Sequence, residues 1–198
     1  MTQWDEVIRE VKRKSIHVIP GFLAIPIIIW IGQYIALIIA IFFFIIYSLN
    51  EIMLRKNINI KIPIAYQTYR FMARRDELEK RYFTGTVYFW GFTILIIALL
   101  PPIEAAAAIM ISSLGDAAAA IIGKMCGQPR LPYNRNKSLC GTLAMFLVSY
   151  LSCIIAGVPS LQSILASSSS AVVESLTTRS VLDEITVPLT ALIVFLLV

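Results

Sequence analysis

Apolar residues in this chain come in long runs, not at the alternating spacing of a half-buried strand. Seven runs stand out, at residues 16–32, 34–53, 85–100, 103–123, 139–157, 159–177 and 184–198. Each approaches the span of about 20 residues that a helix needs to cross a bilayer. The pattern predicts an all-α fold: a polytopic membrane helix bundle of about seven transmembrane helices. The first run belongs to the mature chain, because no small-residue cleavage site follows it and Gly32-Gln33 leads straight into the next run. Two polar segments are themselves patterned. In residues 1–15, Trp4, Ile8, Val11 and Ser15 fall opposite Arg9, Lys12 and Arg13; in residues 54–84, aromatics such as Tyr66, Tyr69 and Phe83 alternate with Arg70, Arg74, Arg75 and Lys80. Both are expected to be helices in the headgroup layer.

Composition sharpens this picture. Of 198 residues, 58% are hydrophobic and 15% charged, which leaves no sizeable soluble domain and predicts one transmembrane domain over 1–198. Three scattered cysteines and the single His17 argue against a disulfide framework or a zinc site. The net charge of +5 does not point to nucleic acid, because the placement of the cations accounts for it. All 17 Lys and Arg fall in the N-terminal tail, the 54–84 segment, the 124–138 loop and the turn at Arg179, and none falls in the alternate connections. The positive-inside rule then puts those loops and the N-terminus in the cytoplasm.

Carboxylates inside apolar runs are costly, about 2.5–3.5 kcal/mol for an Asp at mid-membrane, so they face partners within the bundle. Glu104 follows Pro101-Pro102 and reads as a first-turn residue favoured by the helix dipole. Asp116 and Glu174 are expected near the cytoplasmic ends of their helices, with Asp183 and Glu184 just beyond. Asp116 is preceded by Gly115 and followed by Gly123-Lys124 and Gly127, then by a loop holding Arg135, Lys137 and Ser138 ahead of Gly141-Thr142. Glycines permit close backbone approach, the cations attract anions, and the helix opening at Ser138 favours them further. With Asp116 opposite, the combination suits a phosphate-bound Mg²⁺.

These residues resemble the integral-membrane polyprenol kinases, which comprise dolichol kinase, phytol and farnesol kinases and the CTP-dependent diacylglycerol kinase of fungi. Glu10 through His17 is similar to that family's E-x-K/R-R-K-x-x-H opening, Glu51 with Arg55 to its E-x-x-x-R, and Gly115-Asp116-Ala117 with Gly123 and Gly127 to its G-D-x-x-A segment. Lys137 to Thr142 resembles K-S/T-x-E-G-T, with Cys140 in place of Glu, and Glu174 with Asp183 to Pro188 resembles E…D-N-x-x-V-P, with Glu184 in place of Asn. The CDP-diacylglycerol synthases share the G-D and K-S/T-x-x-G elements more distantly.

The resemblance implies a nucleoside-triphosphate-dependent kinase that transfers the γ-phosphoryl group of CTP to the hydroxyl of an isoprenoid alcohol. Asp116, Glu174, Asp183 and His17 would be catalytic, the three carboxylates holding Mg²⁺. Gly115, Gly123, Lys124, Gly127, Arg135, Lys137, Ser138, Gly141 and Thr142 would hold the nucleotide, the 124–138 loop being the nucleotide loop. Lys14, Glu51 and Arg55 would serve the lipid substrate. The partners implied are a membrane lipid alcohol and a nucleoside triphosphate; a homo-oligomer stays open. The active site would face the cytoplasm from a prokaryotic plasma membrane or the endoplasmic reticulum. Two rivals remain: a cytidylyltransferase making a CDP-lipid, and a small ion-coupled transporter, for which no inverted repeat is visible.

Overall fold

The computed structural model of the chain describes residues 3–178 and 180–198, so the turn at Arg179 lies outside the described residues. Helices run almost continuously: α1 (Gln3–His17), α2 (Ile19–Ile25) with a π-helical extension Pro26–Ile31, α3 (Gln33–Arg55), α4 (Pro63–Met72), α5 (Arg75–Lys80), α6 (Thr84–Leu99), α7 (Pro102–Met110), a π-turn Ile111–Gly115, α8 (Asp116–Cys126), α9 (Leu139–Ala156), α10 (Ser160–Leu176) and α11 (Ser180–Leu197). Among the described residues there is no strand, only a single bridge between Arg130 and Ser138.

Among the described residues, four helical stretches are long and apolar enough to cross a membrane: Trp4–Ile31, Gln33–Arg55, Pro102–Cys126 and Leu139–Ala156; Thr84–Leu99 is a shorter apolar helix. Large apolar side chains such as Phe22, Trp30, Ile38, Phe42, Leu151 and Ile155 stand exposed around the bundle. A surface of this kind is unstable in water and suited to lipid. α1 continues into α2, so the N-terminal polar segment and the first apolar run make one rod. One narrow stripe of α1 faces inward. Trp4, Ile8 and Val11 are exposed, whereas Val7, Glu10, Lys14 and His17, spaced three and four apart, form a buried stripe that packs on α8.

The centre of the bundle is the Pro102–Cys126 rod. In its most apolar window 72% of residues are buried, against 28% for Gln33–Arg55. Ala105 to Ala108 are fully covered, as their small size allows neighbouring helices to come close. α10 does the same with serines: Ser163, Ala166, Ser167, Ser170, Ala171 and Glu174 lie on one buried face. Glu104 sits in the first turn of α7, where the dipole favours it.

Two close approaches fix the register. A Cβ on Gly141 would lie 2.8 Å from the Ala119 carbonyl oxygen and 3.2 Å from the Gly123 Cα, so α8 and α9 meet backbone to backbone. A Cβ on Gly21 would lie 2.8 Å from Leu114 Cγ, which seats α2 against the π-turn. That turn carries one extra residue and so rotates α8 about its axis. The Ser113 hydroxyl donates to the His17 carbonyl and accepts from the Gly21 amide at 3.3 Å, so one serine ties the α1–α2 junction to the residues just before Asp116.

Candidate active site

Those constraints bring charged side chains from α1, α8, α10, α11 and the 127–138 loop into one buried region. Asp116, 6% exposed, accepts from the Lys14 ammonium, itself 2% exposed. His17 Nε2 lies 3.3 Å from the same carboxylate oxygen, Asp116 Oδ2, and 3.9 Å from Glu184 Oε2. Beside them, Lys137 Nζ donates to Glu174 Oε1 and, at 2.9 Å, to Asp183 Oδ2, while the Thr177 hydroxyl donates to Asp183. On the outer side, Lys124 donates to Glu10 Oε2 at 2.6 Å, and Arg13 Nε donates to Glu10 Oε1 at 3.0 Å. Asp116 is near enough to Glu174 and Asp183 for their charges to act on one another.

Counted together, Glu10, Asp116, Glu174, Asp183 and Glu184 face Lys14, Arg13, Lys124 and Lys137: five carboxylates against four cations, His17 aside. An excess negative charge in a region of low dielectric calls for a cation or a proton. Two atoms are also left without a hydrogen bond, Glu174 Oε2 and His17 Nε2. His17, Asp116 and Glu184 each offer a ligand atom, all within 4.8 Å of one another. The donor set of His17, Asp116 and Glu184 therefore fits a divalent ion, with the two carboxylates as hard ligands. Glu184, expected to converge with the other carboxylates, was not among the expected metal ligands; Asp183, which was, is taken up by Lys137 and Thr177.

The expected phosphate loop is built as a staple. Gly127 ends α8 at φ +67°, a conformation that suits glycine. The buried Asn134 donates from Nδ2 to the carbonyls of Ser175 and Thr177 at 2.9 and 2.8 Å, which binds the loop to the end of α10. Lys137 lies in this loop, and although burial pushes its pKa down, Asp183 and Glu174 outweigh that and hold it above its ordinary value near 10.5. Ser138 caps α9 by accepting from the Gly141 amide at 3.1 Å and donates to the Gly123 carbonyl at 3.3 Å. Thr142 hydrogen-bonds back to the Ser138 carbonyl, and Arg135 is exposed. Gly115, Gly123 and Gly141 face other helices: a Cβ on Gly115 would lie 2.5 Å from Ser149 Oγ.

Glu51 and Arg55, expected at the lipid entrance, tie α3 to α6. Glu51 accepts from the Phe83 amide, from Thr84 Oγ1 at 2.8 Å and from Arg55 Nε at 2.6 Å. A cavity of about 300 Å³ does open nearby, between α2, α3, α4 and α6, and neither residue lines it. Its wall is mostly apolar, with Ile28, Ala36, Ala40, Phe43, Phe89 and Trp90, and its charged residues Arg13, Arg74, Glu77 and Glu184 act on one another near His17. The Phe43 and Trp90 rings stack at 4.6 Å, and Phe89 lies 5.0 Å from His17. From His17 to Ile28 along the rod is roughly 16 Å at helical rise.

Comparison with known proteins gives a short likeness. Over 70 residues the chain is 37% identical to probable phytol kinase 2, chloroplastic, of Oryza sativa subsp. japonica. The matched stretch is 35% of this chain and 20% of that protein. No protein-family model matches the chain, and no solved structure matches it.

Proposed function

We propose that this chain is a membrane-embedded kinase that phosphorylates a lipid alcohol at the expense of a nucleoside triphosphate, with CTP the donor and an isoprenoid alcohol the acceptor. The observation that carries the reading is the apolar cavity whose charged end holds His17 and Glu184, the residues that meet Asp116. An amphiphile with one hydroxyl fits such a space: its tail lies among Ile28, Ala40 and Phe43 and its hydroxyl reaches His17. The partial likeness to a phytol kinase supports the same class.

Phosphoryl transfer depends mainly on positioning and on neutralising charge on the phosphate oxygens. In this reading His17 Nε2, buried and without a hydrogen bond, accepts a hydrogen bond from the acceptor hydroxyl, orients its oxygen toward the γ-phosphorus and takes its proton as the new O–P bond forms and the bond to the CDP leaving group breaks. Lys124, Arg135 and Lys137 hold the phosphates. Asp116, Glu184 and Glu174 would hold Mg²⁺, which when bound shields the charge on the transferring phosphoryl group. Lys14 sets the charge of Asp116, and Asp183 holds Lys137 in place. The N-terminus, the 54–84 segment and the nucleotide loop all lie on the cytoplasmic side, as the distribution of cations supports.

The test is product analysis. Protein purified in detergent is incubated with Mg²⁺, labelled CTP and, separately, phytol, farnesol, geranylgeraniol, dolichol and diacylglycerol. Transfer of label from the γ position to one lipid with release of CDP is expected. Release of pyrophosphate with a CDP-lipid would identify the cytidylyltransferase instead, and no lipid product from any acceptor would refute the kinase reading.

A further inference from the structure

A second cavity, of about 730 Å³, lies apart from the carboxylate cluster, between the end of α3, the 56–62 connection, α4 and α5. Its lining is polar and of one sign. Lys61, Arg70 and Arg81 contribute three cations, and no Asp or Glu lines it. Among the described residues no ion pair involves any of the three. Lys61 lies over the Tyr66 ring at 5.3 Å, and Arg81 Nη1 donates to Asn57 Oδ1 at 2.7 Å. All three are exposed, while Asn50 and Tyr69 are buried.

Asn50 provides the second, independent observation. It is 1% exposed, it lines the cavity, and its Nδ2 has no hydrogen-bond partner. A buried amide donor without a partner carries a desolvation cost that nothing in the protein offsets, so an acceptor supplied from outside resolves it. Asn57 and Arg81, hydrogen-bonded to each other across this cavity, are also the two non-glycine residues with positive φ among those described, at 55° and 52°. Such conformations collect where a site is being shaped.

We propose that this cavity is a binding site for a phosphate-bearing anion, taken up by Lys61, Arg70 and Arg81 and completed by the amide of Asn50. Phosphate offers several acceptor oxygens to a cluster of donors, and guanidinium groups match it in geometry. The tyrosines and the interfacial position suit the phosphate of an anionic phospholipid headgroup, and the same chemistry accommodates a soluble pyrophosphate. α4 separates this cavity from the apolar one: Tyr66, Tyr69 and Arg70 face the first, Ile64, Thr68 and Met72 the second. The site does not depend on the proposed kinase activity, and binding is read without turnover.

The experiment uses the full chain with two probes. Native mass spectrometry counts phosphatidylglycerol retained by protein from phosphatidylcholine nanodiscs doped with it, and thermal unfolding in detergent follows inorganic pyrophosphate. Retention of phosphatidylglycerol that Arg70→Gln/Arg81→Gln weakens about tenfold or more supports a lipid source. A pyrophosphate-dependent rise in melting temperature lost in the same variant supports a soluble source. Asn50→Leu guards against misfolding: it removes the stranded donor, so the ligand-free protein should melt no lower than wild type while binding falls. Binding of both probes that is absent, or unchanged in the arginine variant and in Asn50→Leu, would overturn the proposal.

Discussion

The charge count of the buried cluster makes a prediction with a change of sign in it. Lys14→Met keeps the length of the side chain and removes a buried ammonium that donates to Asp116, leaving five carboxylates against three cations. Breaking one side of a buried pair costs about 3–5 kcal/mol, because the remaining charge stays desolvated. For a chain of this size that lowers the melting temperature by roughly 6–20 °C. Asp116→Asn strands Lys14 instead, but Lys14 still feels Glu10 and Glu174, and one of several mutually repelling carboxylates has gone. Its cost should be smaller, about 1–3 kcal/mol. Combining the two restores the original excess of one negative charge, so the double variant should be more stable than Lys14→Met alone. Asp116→Asn then destabilises the wild-type protein and stabilises the Lys14→Met protein. Thermal unfolding in detergent with EDTA measures all four corners of the cycle, and a coupling larger in magnitude than the cost of Asp116→Asn alone is expected. Adding Mg²⁺ should raise the melting temperature of wild type but not of either protein lacking Asp116. Additive effects, or a Lys14→Met protein as stable as wild type, would refute the paired-cluster reasoning.

Lys137→Met should lower stability by about 3–5 kcal/mol, since Glu174 and Asp183 both lose their cation. The raised pKa of Lys137 means that its contribution is fully present below about 10.4, its unfolded value, and is lost only as pH rises through the folded value. The gap between wild type and Lys137→Met should therefore not narrow as pH rises from 7 to about 9, and thermal unfolding across that window checks this. Gly141→Ala places a methyl 2.8 Å from the Ala119 carbonyl oxygen and should cost about 1–3 kcal/mol by forcing α8 and α9 apart, again read by melting. Ala40→Phe fills the apolar cavity from α3 and should raise KM for the lipid alcohol about tenfold or more while leaving KM for CTP unchanged. An unchanged acceptor KM would remove the cavity from the reaction.

Part of this was readable in the chain, and the division follows from physics. Run length announces helices, and runs of alanine announce a crowded centre, because only small side chains let backbones meet; Ala105 to Ala108 are fully buried. Asp116 stood out because a carboxylate in an apolar run must have company. Which company was not readable. Its partner Lys14 lies 102 positions away and the pair Glu10 with Lys124 is separated by 114, distances over which no helical period carries information. The π-turn ahead of Asp116 shifts the facing of α8 without any signature in Ile111-Ser112-Ser113-Leu114-Gly115. Asp183 and Glu184 are adjacent, but one residue is about 100° of helical rotation, enough to send one to Lys137 and the other to His17.

The cations were expected on the cytoplasmic side, Lys124 and Lys137 as phosphate ligands and Lys14 at the lipid substrate, and the fold uses all three as partners of buried carboxylates. The same side chains therefore stand in the proposed reaction and in the stability of the bundle. Loss of activity on removing any one of them cannot by itself assign a catalytic role. A role in the reaction is separable from a role in the fold only where turnover and melting are measured on the same variant, and where a compensating second substitution restores the melting temperature without restoring turnover.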